Sequence, residues 1–357
     1  MKMKSVYCYM LAGLMLSASS CSSWLSEDDA PVMSYDYYET EAGVNAAITA
    51  AYGFLRWGVG GERFDVLTEL GTDLFTEGED GSNRESYNKY ATQLNPDDGI
   101  LYEMWENHYK GISDANIAMQ KIRDSQDLLE SVKIQSYAEM QFIRAYLYFD
   151  LVQQFGRIPL VTEGSFEIRT DFKRAPIADV YNVIISDLRN AAENLPEKAS
   201  VLGRATRYSA AHLLAKVYLT SGSAVKDARG QKATDMDSTL YYAEQVINSG
   251  AYALQENFSS LWDIKNQGNS EAVFAVQFTT EPMFNGDGNK QHLYWLSWYE
   301  DQPGMLRDIE NGRPYRSHVA TKKTMDDLFD RLHDSRFYKS FKWVYYANNV
   351  STLPVWE

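Results

Sequence analysis

The densest group of side chains able to recognise a ligand is His292-Leu-Tyr294-Trp295-Leu-Ser-Trp298-Tyr299, flanked by Asp287, Asn289, Glu300, Asp301 and Gln302. Flat rings offer apolar faces to C–H-rich ligand faces, and nearby amides and carboxylates bind hydroxyls. That is the chemistry of saccharide recognition. Trp295 and Trp298 are three residues apart, so on a short helix they share a face, with Tyr294 and Tyr299 beside them. The competing reading is structural: the same rings plug the boundary between two parts of the fold. A second candidate is the loop carrying Asn83, Arg84 and Tyr87, with Trp57 not far away in the chain.

Other chemistries find little support. The five histidines, His108, His212, His292, His318 and His333, are scattered, with no H-E-x-x-H array. No G-x-S-x-G elbow occurs. Gly58-Val-Gly60-Gly61 lacks the strand-to-helix setting of a phosphate loop. Asn285-Gly-Asp287-Gly-Asn289 has the alternating oxygens of a calcium loop, but Lys290 stands where glycine is needed and Leu296 where the closing glutamate belongs. It reads as a turn, and acidic Glu77-Gly-Glu79-Asp80 reads as a solvated loop. No catalytic residue, metal or cofactor is assigned, and the expectation is a binding protein and not an enzyme. With a formal net charge of −15 the chain repels a phosphate backbone, which excludes nucleic acid as a partner class.

The amino terminus reads as an address. Lys2 and Lys4 precede an apolar run, Val6 to Ala18, too short to span a bilayer, which takes ~20 residues. Ala18, Ser19 and Ser20 then lead into Cys21, as in a lipobox, although Ala18 stands where leucine is usual. The alternative is an ordinary signal peptide with a coincidental cysteine. Cys8 and Cys21 are the only cysteines, so disulfides and a cysteine zinc site are excluded. The expected division is 1–20 signal peptide, 21–40 lipidated cysteine and leash, 41–265 helical region, and 266–357 a loop-rich ligand-side region.

Several helices must position the candidate residues. Val44, Ile48, Ala51 and Leu55 share one face of a helix over 41–55, capped by Thr40. Three- and four-residue steps from Tyr102 through Trp105, Tyr109, Ile112, Asn116 and Met119 to Ile122 predict another over 102–123. Asn116 on that face must be hydrogen-bonded, so it ties a neighbouring loop or helix. Further helices are expected over 129–154, stopped by Gly156 and Pro159; over 176–195, opened by Pro176 and striped by Val180, Ile184, Leu188 and Ala191; and over 208–220 and 238–249. Residues 58–99 read as long loops with short strands. Val273 to Phe278 and Phe341 to Tyr346 read as strands, the second with Phe341, Trp343 and Tyr345 on one face and an exposed edge.

The order of these motifs resembles the SusD/RagB family of outer-membrane nutrient-binding lipoproteins of Bacteroidetes. The resemblance rests on Trp105 to Asn116; on Glu139 through Arg144-Ala145-Tyr146 to Phe149, with Phe155-Gly156 and Pro159-Leu160; on Tyr181 to Pro196 with Asp187-Leu188; on Gly203-Arg204-Ala205-Thr206 followed by Ala215 to Leu219; on Ala243 to Tyr252; on Asn269 to Phe274; and on Asp334-Ser335-Arg336. It implies a mostly α fold of tetratricopeptide-like helical hairpins with a loop-rich part containing short strands. It implies a lipid-anchored protein at the outer membrane, surface-exposed, that captures oligosaccharides for import through a SusC-like TonB-dependent transporter. Peptide binding, as in RagB-like members, is the first alternative and a lipid-anchored glycoside hydrolase the second. A purely structural subunit of the transporter is the third. Family members run longer, so the region after 266 is expected to be incomplete at Trp356-Glu357.

Overall fold

The computed structural model describes residues 40–78, 84–90, 94–165, 169–226, 228–281, 283, 285–286, 288–342 and 344–353. Cys21, with the leader and leash expected over 1–39, lies outside the described residues, as do Asn83, Glu79, Asp80, Asp287 and Trp343.

In chain order the elements are α1 (Glu41–Leu55), α2 (Trp57–Gly60), α3 (Glu62–Thr68), β1 (Phe75–Glu77), α4 (Glu85–Lys89), α5 (Gly99–Asp124), α6 (Glu130–Phe155), α7 (Ile177–Asn194), α8 (Arg207–Gly222), α9 (Asp235–Ile247), α10 (Gln291–Tyr294), β2 (His318–Ala320), α11 (Lys322–Asp326) and α12 (Arg336–Ser340). Consecutive long helices pack as hairpins, α5 on α6, α6 on α7, α7 on α8 and α8 on α9, while α1 lies against α5 and α6. The fold is therefore mostly helical, as expected.

Local chemistry accounts for the helix boundaries. The Thr40 side chain accepts from Gly43 N–H, opening α1. Gly156 takes φ +67° and ends α6, a conformation glycine adopts without a Cβ clash. Pro176 caps α7, and Thr206 with Ser209 forms a reciprocal capping box on α8. The predicted stripes Val44, Ile48, Ala51 and Leu55 and Val180, Ile184, Leu188 and Ala191 are all buried in one core. Tyr102 departs from its stripe and is exposed.

α6 sits at the centre, and polar groups inside the core register its neighbours. Asn116 donates to Val161 C=O at 2.9 Å and accepts from Arg144 at 2.7 Å, which is the tie its position required. The Tyr148 hydroxyl donates to Val161 C=O and accepts from Val161 N–H, pinning the loop after α6. On the other side Glu139 accepts from the Tyr52 hydroxyl at 2.7 Å and from Arg204 Nε at 2.8 Å. Tyr52 in turn accepts from Ala205 N–H. Gly111 is a packing glycine: a Cβ there would lie 2.6 Å from Leu147 and 2.9 Å from Phe54, so its absence lets α1 and α6 close on α5.

Three sequence expectations need correction. Val273 to Phe278 is extended but forms no strand, because no neighbouring chain among the described residues offers a ladder. Its alternation arises because an extended chain turns every second side chain to one side, here laying Phe274 on Phe142 and Tyr52 and Val276 on the helical core. The described residues of 341–346 likewise form no strand. Phe341 caps α12 and packs on Phe337 and Phe329, while Tyr345 stacks on Tyr299. Among the described residues the strands that form are β1 and β2, antiparallel with Thr76 opposite Val319. Finally, 58–99, read as loops with short strands, holds the short strand β1 but also the short helices α2, α3 and α4.

Candidate functional site

A cavity of about 920 Å³ opens between the helical body and the 278–294 stretch. Its floor is the α1–α2 junction with Arg56, Trp57 and Gly60. One wall is the start of α5, and the far side carries Phe278, Lys290 and Tyr294. Gly60 is where the two parts touch. A Cβ there would meet the Phe278 ring at 2.6 Å, and its C=O accepts from Lys290 N–H at 2.9 Å. Gln291 adds a bond to Gly61 C=O at 3.0 Å, and Arg56 Nε donates to Gln277 C=O at 2.9 Å. These contacts hold α10, and with it Tyr294, over the cavity.

Four of the charges in the lining form two opposed pairs, and Arg56, Asp98 and Lys290 line it beside them. Arg84 pairs with Glu62, and Arg63 with Glu103. Asn107 is half-buried and donates to Phe54 C=O. Paired guanidinium and carboxylate groups, with an amide and a tyrosine between them, supply donors and acceptors without a strong net field. Such a lining suits hydroxyl-rich neutral ligands.

The aromatic candidates separate in space. Tyr294 lines the cavity, and burial raises its pKa. Arg84 lines it as well. The short helix ends at Tyr294, so Trp295 caps it and Trp298 lies beyond it; the two do not share a helical face. Trp295 sits on the small sheet, edge-to-face with Phe75 at 4.8 Å and against His318 at 4.9 Å, and its indole N–H donates to Gln291. Tyr299 is buried, donates to Gly312 C=O at 2.6 Å and stacks on Tyr345. Trp298 is half-buried and does not line the cavity.

Behind Trp295 lies a buried acid–histidine pair. His318 is fully buried, with Nε2 3.8 Å from Asp65 Oδ2. Burial, reinforced by the Arg84 charge, lowers the His318 pKa to about 4. Burial raises the Asp65 pKa to about 6, against the pull of nearby Gln291 and Trp295.

Sequence reasoning missed Glu62, Arg63, Asp98, Glu103 and Asn107 in the lining. The available signal was Gly58-Val-Gly60-Gly61, set aside for want of a phosphate-loop context; a glycine run also marks close approach of two chain segments. Among the described residues no cluster of three or more His, Cys, Asp or Glu side chains is arranged to hold a metal. No helix among them is long and apolar enough to cross a membrane.

Helical hairpins carrying a loop-rich part, with a polar cavity between the two, define the class of fold. The sequence profile of the SusD-like family, described as starch-binding and associating with the outer membrane, matches residues 32–219, and the chain belongs to that family. Two SusD-like proteins of Formosa agariphila are similar to it, one 28% identical over 341 residues, covering 87% of this chain and 63% of the relative, the other 25% identical over 301 residues, covering 79% and 53%. The chain thus spans between about half and two thirds of these relatives' length. Among solved structures, a laminarin-binding SusD-like protein is 28% identical with a TM-score of 0.56, over 65% of this chain and 50% of that one. A SusD superfamily protein of Parabacteroides distasonis shares the fold at a TM-score of 0.64, 24% identity, over 82% and 61%.

Proposed function

We propose that this protein captures neutral oligosaccharides in the cavity between α1, α5 and α10, with Tyr294 presenting its ring and Arg84, Glu62 and Asn107 meeting hydroxyls. The observation that carries the reading is the cavity itself, large enough for a short glycan and lined by paired charges and rings. Family membership and the similarity to a laminarin-binding protein support the ligand class. The mechanism is capture and release with no bond made or broken. Within the same reading, Cys21 carries the lipid that holds the chain at the outer membrane, exposed at the surface, and a SusC-like TonB-dependent transporter receives the glycan.

Calorimetry of the full chain in detergent against laminari-, malto- and xylogluco-oligosaccharides tests this. Saturable binding to at least one series is expected, weakened by about tenfold or more in Tyr294→Ala and Arg84→Ala. Binding of peptides with no response to any glycan would transfer the site to the peptide class. Release of new reducing ends would make the protein a hydrolase.

A further inference from the structure

A second cavity, of about 330 Å³, lies between α7, the end of α8 and the start of α9, in the helical body. It has a different chemistry. Arg189 of α7 and Arg229 and Lys232 of the α8–α9 connection line it, against one carboxylate among the described residues, Asp235; Arg229 Nη1 also donates to Thr220 C=O at 2.7 Å. In a chain of net charge −15 this local excess of cations is unusual. The carboxylate is engaged elsewhere: buried Asp235 Oδ2 accepts from Ser221 Oγ at 3.0 Å and from Lys232 N–H at 2.9 Å.

Two further features aim donors at the space. α9 is 13 residues long and begins here, and its N-cap Thr234 makes no side-chain bond to the first turn. Asp235 N–H is taken by Lys232 C=O, and the positive end of the helix dipole at this turn attracts negative charge. Independently, Tyr181 is 1% exposed and lines the cavity, yet its hydroxyl has no hydrogen-bond partner among the described residues. A buried hydroxyl without a partner costs free energy, which a ligand oxygen would remove. The Arg189 guanidinium lies 5.7 Å above the Tyr218 ring, which holds that cation at the rim. Gly230, at φ +67°, approaches Ala178 so closely that a Cβ would lie 2.8 Å from the Ala178 Cβ; this brings Arg229 and Lys232 against α7.

We propose that this cavity binds a tetrahedral oxyanion, phosphate or sulfate, free or as a sugar ester, through Tyr181, Arg189, Arg229, Lys232 and the first turn of α9. Among the described lining residues the three cations Arg189, Arg229 and Lys232 outnumber the one carboxylate, Asp235, an excess that a neutral sugar does not need and an oxyanion does.

Calorimetry of the full chain in detergent, with potassium phosphate or sulfate against chloride at equal ionic strength, gives the direct test. Glucose 6-phosphate, glucose 6-sulfate and glucose form the second arm. One-to-one saturable binding is expected for the oxyanions. Tyr181→Phe and Arg189→Gln should each weaken it by about tenfold. The Tyr181→Phe unfolding midpoint without ligand should not fall, because that hydroxyl bonds to none of the described residues. Esters binding far tighter than the inorganic ions would assign a phosphorylated or sulfated sugar; equal affinities would assign the free ion. No saturable binding of any oxyanion, equal binding of glucose, or affinities unchanged in both variants would overturn the proposal. The oligosaccharide site is untouched by these variants, so the two readings fail separately.

Discussion

Arg144 holds Asp187 by two parallel hydrogen bonds, Nε to Oδ2 and Nη2 to Oδ1, each 2.8 Å long. Both residues are buried, and Arg144 Nη1 also serves Asn116 Oδ1 and Thr162 C=O. One guanidinium thus joins α5, α6, α7 and the loop after α6. Arg144→Met leaves the Asp187 carboxylate buried with only Gln141 as a donor. A loss of roughly 3–5 kcal/mol is expected, because a buried charge without its partner is costly. Urea unfolding measures it; a loss below about 1 kcal/mol would mean the network is not holding these helices together.

Tyr294 and Trp295 are neighbours with opposite duties. Tyr294→Ala should weaken glycan binding and leave the unfolding midpoint nearly unchanged. Trp295→Ala should remove the ring packed on Phe75 and His318 and lower stability by about 3 kcal/mol. Thermal melts and titrations on both variants separate the roles. Equal effects on binding with no effect on stability would place Trp295 in the ligand site instead.

The Asp65–His318 pair predicts a pH signature. His318 titrates near 4 in the native state against 6.5 ordinarily, so as pH falls from 6.5 to 4 the unfolded chain takes the proton first and stability drops. Asp65 titrates near 6 against 3.8, so between those values the native state holds the extra proton and stability rises as pH falls. The two slopes oppose each other across pH 4–6. Asp65→Asn removes the second, so the variant should be more stable at pH 7 by roughly 1–3 kcal/mol and should lose stability more steeply on acidification to pH 4. Parallel stability–pH curves for wild type and variant would show the pair is not coupled to folding.

Gly111→Val should destabilise by about 1–3 kcal/mol, since the new side chain must enter space held by Leu147 and Phe54. A change under about 0.5 kcal/mol in chemical unfolding would show that α1 and α6 can yield there.

Cys21→Ser should abolish lipid labelling and move the protein from the membrane fraction to the soluble one. Acyl chains supply ~0.8 kcal/mol per buried methylene, and no helix among the described residues replaces them. Retention of the variant in washed membranes would point to anchoring by a partner protein.

The sequence by itself determined the six longer helices to within a few residues and much of the core they bury. Burial every third or fourth residue, Thr40 as a cap, and Gly156 as a stop are local properties, set within one or two turns of chain. It also identified Asn116 as a residue that had to find a partner. The tertiary structure alone decided which aromatic residues face a cavity. Tyr294, Trp295 and Tyr299 have nearly the same local sequence, yet one lines the cavity, one packs on the β1–β2 pair and one is sealed beneath Tyr345. Their fates depend on segments far away in the chain: Gly60 and Gly61, which hold Lys290 and Gln291; Phe75, which meets Trp295; and Arg56, which reaches Gln277. Periodicity reports which face of an element is buried, but not which distant element buries it. For that reason Glu62, Arg63, Glu103 and Asn107 became visible as a lining only once α1, α3 and α5 were packed together.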